Sequence, residues 1–154
     1  MYTTYNLFKF LHVVAVIVWL GGVVALVVIP ARLARERNVA ATAALGRQAA
    51  FYGQSVVGPA AVITLVAGIV MVVVGRIGFE QLWIAYGLLG MVVSMALGGA
   101  LLSRLGHQLN ELSESDDPDP ARMSALQARL RTYNLINVLI LLSVVWAMVF
   151  KPTL

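Results

Sequence analysis

The sequence predicts an all-α membrane protein, an up-down four-helix transmembrane bundle forming a single integral membrane domain over 1–154. Three observations carry this. The chain is 60% hydrophobic and only 12% charged, about half the charge of a soluble domain. Its apolar residues gather into four runs, at 7–29, 56–74, 82–102 and 133–150, and each has roughly the length that crosses a ~30 Å hydrocarbon layer as a helix. The basic residues are unevenly shared. Arg32, Arg35, Arg37 and Arg47 follow the first run and Arg104, Arg122, Arg129 and Arg131 follow the third, against Lys9, Arg76 and Lys151 on the other side. The positive-inside rule then puts both long connections in the cytoplasm and both termini outside, as in a bacterial cytoplasmic membrane. The same bias accounts for the net charge of +4 without a nucleic-acid partner.

The first element, LFKFLHVVAVIVWLGGVVALVVI, is too long for a signal-peptide core and has no small-residue cleavage site beyond it, so a retained helix is expected. Gly21 and Gly22 within it would let another backbone come close. In the second element Pro59 should kink the helix, which the Ala- and Arg-rich stretch 38–55 extends into the cytoplasm. The third carries Gly90, Ser94 and Gly98 at four-residue spacing. This small-residue ladder suits close contact with an adjacent helix or with a second chain. Between the third and fourth elements, 113–118 is acidic and polar and reads as a solvated turn. Asp119-Pro120 then reads as an N-cap followed by proline at the first helical position. One helix should run from Pro120 to Phe150 and stop at Pro152.

The composition narrows the chemistry. Without cysteine there are no disulfides, thiolate metal sites or cysteine nucleophiles. No acidic residue lies within a run, which argues against a carboxylate proton relay. No Gly-rich phosphate loop is present. What remains is His12, one and a half turns inside the first span, with Trp19 on nearly the same face. A ring nitrogen in hydrocarbon needs a partner. His12 either binds a ligand or hydrogen-bonds a neighbouring helix. The topology puts it at the level of Lys9, Arg76 and Lys151, an arrangement that suits haem b, with His12 as axial ligand to the haem iron and Lys9, Arg76 or Lys151 pairing with propionates. Both lysines also suit simple snorkelling to the headgroups.

Met148 lies at the right level for a sixth ligand and equally suits a flexible core filler, with Met71 and Met91 as weaker candidates. His107, in RLGHQLNEL, falls past the cytoplasmic end of the third span, ~25–30 Å from His12, and reads as a solvated loop residue. Trp83 reads as an interfacial belt residue, Trp19 and Trp146 as core. Asn134 and Asn137, near the cytoplasmic start of the fourth span, read as interhelical hydrogen-bonders or as part of a polar pocket.

The opening KFLHVVAVIVWLGG, the second-span VVGPAAVITLVAGIV and the ending VVWAMVFKPTL resemble the bacterial membrane proteins grouped as domain of unknown function 2269, over nearly the whole chain. They are also similar to two other four-helix groups, the HemJ-type protoporphyrinogen oxidases and the CopD-type copper resistance domains. The HemJ-type resemblance implies a haem-b-linked bundle in which a histidine of the first helix and a lysine after the last are functional. Here these positions are His12 and Lys151. The leading expectation is a haem-b-binding membrane protein with a redox or tetrapyrrole-related role. Two alternatives stand beside it: a non-enzymatic structural or accessory subunit that holds a partner or a second copy through Gly90, Ser94 and Gly98, and a metal or solute transporter.

Overall fold

A computed structural model describes residues 2–33, 39–115, 117 and 119–152. Residues 34–38, with Arg35 and Arg37 of the charge count, and Asp116 and Pro118 of the acidic turn lie outside the described residues. The helices are α1 (Tyr2–Leu33), α2 (Val39–Tyr52), α3 (Gly58–Gly75), α4 (Leu82–Ala96), α5 (Ser103–Ser113) and α6 (Pro120–Phe150). A π turn, Gly53–Val57, joins α2 to α3, and another, Leu97–Leu102, joins α4 to α5. The result is four long rods, each apolar and long enough to cross a membrane. This is an integral membrane protein built as a helical bundle.

The caps follow the local chemistry of the sequence. Asp119 Oδ1 accepts the backbone N–H groups of Ala121 at 2.9 Å and Arg122 at 3.2 Å, and Pro120 takes the first helical position, where its missing N–H costs nothing. At the far end Lys151 turns left-handed at φ 46° and its N–H closes on Ala147 O at 2.9 Å. Pro152 follows and cannot continue the helix. Arg76 ends α3 in the same left-handed way, at φ 50°.

The helical extension of the second and fourth elements beyond their apolar runs is present. The third element extends as well: α5 continues it to Ser113. His107 therefore sits on a helix, not in a loop. The run RLGHQLNEL alternates apolar and polar residues at helical spacing, and that periodicity outweighs its polarity.

Just before Pro59, where a kink is expected, the helix widens into the first π turn. Proline cannot bond to a carbonyl four residues back, and its ring crowds that carbonyl. The wider turn, closed by Gly58 N–H to Gly53 O, takes up the mismatch. The second π turn has no proline. It contains Gly98-Gly99 and is closed by Ser103 N–H to Gly98 O.

The rods form a ring in chain order. The first packs on the second and fourth, and the fourth packs on the third. Trp19, Val23, Val57, Ala60, Ala61, Met91, Val138 and Leu141 form the buried core. On α1 the inward residues Tyr5, His12 and Trp19 recur at heptad spacing, which keeps them on one face of the helix. The outward faces carry large apolar side chains such as Phe10, Ile17, Leu89, Leu139 and Val149, which suit lipid. Trp146 belongs with them, 55% exposed and against Phe150. It is therefore an outward residue and not part of the core.

Small residues make the close contacts. Val144 of α6 packs over Gly90, and Met148 packs into the notch at Gly87. Ser94 is buried against Asn137. Two rungs of the Gly90–Ser94–Gly98 ladder are thus occupied by α6 of the same chain. The adjacent Gly21 and Gly22 part company. A Cβ on Gly22 would fall 2.7 Å from Val57 Cγ2, whereas one on Gly21 meets nothing within 4 Å. Gly22→Val is expected to destabilise the detergent-solubilised protein by ~1–3 kcal/mol through overpacking. Gly21→Val should stay within ~0.5 kcal/mol of wild type. Parallel thermal unfolding of the two variants checks this.

Candidate functional site

Two regions carry polar chemistry inside the rods. One is a seam at the end that holds the chain termini, and the other is a cleft at the end that holds the basic connections.

In the seam, His12 on α1 meets α3. Its Nδ1 lies 2.8 Å from Thr64 O. A carbonyl can only accept, so Nδ1 carries the proton and donates it, leaving the lone pair of the neutral ring on Nε2. Thr64 is 1% exposed and spends its own hydroxyl on Ala60 O at 2.8 Å. Gly68, one turn further along α3, makes room for the ring: a Cβ there would lie 3.1 Å from His12 Cε1. The histidine is thus a hydrogen-bonded tie between the first and second rods.

The other residues proposed around His12 are spread over several elements. Met148 lies in the seam between α4 and α6, across the ring from the seam of α1 and α3. It fills a glycine notch there. Met91 belongs to the buried core beside Trp19. Of the methionines considered, Met71 shares the α3 stripe of Thr64, Gly68 and Gly75 that faces α1. Lys151 Nζ stands 5.4 Å from the centre of the Trp83 ring, a cation–π contact that closes the end of the fourth rod onto the start of the third. Lys9 and Arg76 are exposed.

The cleft lies in the other half of the bundle and has a volume of about 1010 Å³, the upper end of the ~300–1,000 Å³ typical of small-molecule pockets. Its two walls differ in character. Trp19, Val23, Leu26 and Val27 of α1, with Ala61, Val62 and Ile63 of α3, make an apolar wall. Facing them, α6 presents Ser124, Gln127, Arg131, Asn134 and Asn137, a polar stripe at helical spacing that covers ~20 Å of helix axis. His107 and Asn110 of α5 and Gln54 of the first π turn complete the polar lining. Among the described residues the lining contains no Asp or Glu.

Both π turns border this cleft. Gly53, Gln54 and Val57 line it from one side, Gly98, Gly99 and Leu102 from another. π turns inside α-helices are frequent at functional sites, because each widens the helix and shifts the side chains that follow. Four glycines of the lining are open, since a Cβ on Gly53, Gly98, Gly99 or Gly106 would meet nothing within 4 Å, while Gly46 is closed by Asn110.

At the floor, Ser94 donates its hydroxyl to Asn137 Oδ1. Ser94 is 2% and Asn137 3% exposed. This bond fixes the amide with its oxygen toward α4 and its Nδ2 group free. Among the described residues Nδ2 has no protein partner, yet no fully buried side-chain polar atom lacks one. The Nδ2 donor therefore lies on the surface of the cleft, which Asn137 lines. Asn134 and Asn137 stand out in the sequence on their own; the 4-3-3 spacing of 127, 131, 134 and 137 is the signal that joins them to Gln127 and Arg131 on one helix face.

A double-mutant cycle over Ser94→Ala and Asn137→Ala should show coupling of ~0.6–1.7 kcal/mol, the range for interhelical hydrogen bonds in membranes. Unfolding of the four proteins in mixed micelles measures it, and additive losses would mean the pair is not coupled.

The sequence model of one family, described as predicted integral membrane protein (DUF2269), matches residues 6–152. No curated protein and no solved structure matches the chain. The HemJ-type and CopD-type likenesses rest on the residues quoted for them alone.

Proposed function

The chain belongs to the DUF2269 family of integral membrane proteins, and for this member we propose a role in binding an amphiphilic small molecule within the cleft of the four-helix bundle. The observation that carries this reading is the buried Asn137 amide, held by Ser94 so that a donor is left at the floor of a large two-walled cleft. A donor that faces the cleft without a protein partner is satisfied there by a ligand or by water. One wall can take an apolar body while the other offers hydrogen-bond donors along its length. By the positive-inside rule the cleft opens toward the cytoplasm and both termini lie outside.

The test uses Trp19, which lines the cleft. With Trp83→Phe and Trp146→Phe, Trp19 is the single emitter. In phosphatidylcholine nanodiscs, a set of dibrominated stearyl amphiphiles with different heads is titrated against it. Saturable quenching by at least one member is expected. Gly98→Phe, which fills open space, should abolish that saturable component and leave the unfolding temperature within ~2 °C of the parent, as for an unstrained substitution. Quenching that only rises linearly with every probe would reject the reading.

A second reading, haem b on His12, draws on one observation. The Nδ1–H bond to the Thr64 carbonyl is the orienting contact that histidine ligands of metals use, and it leaves Nε2 as the ligating atom. What supports it is that one nitrogen; Met148 packs at Gly87 and Lys151 Nζ lies over the Trp83 ring. Haem held there would supply one-electron chemistry at the terminal end of the bundle. On this reading purified protein supplied with haem shows a Soret band that His12→Ala removes or shifts. A spectrum identical to free haem in the same detergent would end it.

A further inference from the structure

Building on the cleft reading, we propose that its occupant is a single-chain amphiphile with an anionic head, the head held by Arg131 and His107 and the chain laid along α1 toward the floor.

The charge of the lining selects the head. Arg131 and His107 lie on the exposed, outer part of the cleft, and no carboxylate among the described residues shares the lining with them. A guanidinium prefers planar or tetrahedral oxyanions, which accept its forked N–H groups. A cationic head would meet the Arg131 charge there and find no carboxylate among the described lining residues. The depth sets the rest. Arg131 and Asn137 are ~9 Å apart along α6. Between them the opposite wall is formed by Val23, Leu26 and Val27, which offer no hydrogen bonds. A chain reaching the floor therefore buries its length against α1, and an acceptor oxygen on the chain would meet Asn137 Nδ2 there.

Carboxylate and phosphate heads share this chemistry. The first is carried by free long-chain acids and the second by phosphorylated lipids, and the experiment separates the two. Dibromostearate, dibromostearyl phosphate, dibromostearyl alcohol and dibromostearyl amine are compared by saturable quenching of Trp19 in the single-tryptophan protein. One or both anions should bind about 10-fold more tightly than the alcohol, as one charge-assisted contact allows, and the amine should bind most weakly. A preference for the carboxylate identifies an acid, and a preference for the phosphate identifies a lipid phosphate. Arg131→Gln should remove most of the anion preference without changing the affinity for the alcohol, and Arg131→Lys should restore part of it. His107→Gln should lower anion affinity by a smaller factor. Alcohol or amine binding as tightly as the anions would overturn the anionic head while leaving the cleft a ligand site. An anion preference untouched by both Arg131→Gln and His107→Gln would overturn the placement of the head. Failure of all four probes would reject the cleft reading itself.

Discussion

In hydrocarbon no water is present to complete a broken hydrogen bond, so every backbone N–H and C=O must find its partner within the protein. The rest of the bundle is an accommodation to this. Pro59 and the Gly98-Gly99 pair are places where an ordinary helix would loosen. At both, the chain widens into a π turn and keeps bonding, through Gly58 N–H to Gly53 O and Ser103 N–H to Gly98 O. Width is gained without stranded backbone groups. Both turns border one cleft, and it takes its width there.

The glycines record the division of the molecule. Toward the terminal end, neighbours occupy the space they leave: the His12 ring at Gly68, Tyr5 at Gly75, Met148 at Gly87 and Val144 at Gly90. Toward the basic end Gly53, Gly98, Gly99 and Gly106 face open space, although Gly46 is closed by Asn110. Helices in lipid gain little from hydrophobic exclusion of one another, and close van der Waals contact must hold them. The filled half supplies that contact, together with the His12–Thr64 tie. It lets the other half stay apart. The inward face of α6 changes with it, from Leu141 and Val144, both buried, to Asn137, Asn134 and Arg131 at the cleft.

Much of this was legible in the chain. Apolar length marked the four rods, Asp119-Pro120 and Pro152 marked the ends of α6, and the early histidine announced a polar tie in an apolar layer. The carbonyl that His12 finds was not legible, because any helix neighbour could offer one. The α5 extension was read as loop because its polar residues masked its periodicity. Met148 stood at the right height for His12, but height along the membrane says nothing about which seam of a ring a side chain occupies. The cleft itself was glimpsed only as two asparagines.

The sequence by itself determined what is local or set by the bilayer: span number, the ends of α6, the uneven placement of basic residues and the break at Pro59. Hydrophobic length, capping chemistry and the missing proline N–H act within one or two turns and need no knowledge of neighbours. Only the tertiary structure decided which small residues are filled and which stay open, that Gly22 is a contact while Gly21 is not, and that the stripe from Gln127 to Asn137 faces an apolar wall across a cavity. Those properties belong to pairs of helices, and the rotation of each rod about its axis is set by packing, which the composition of a single rod does not encode.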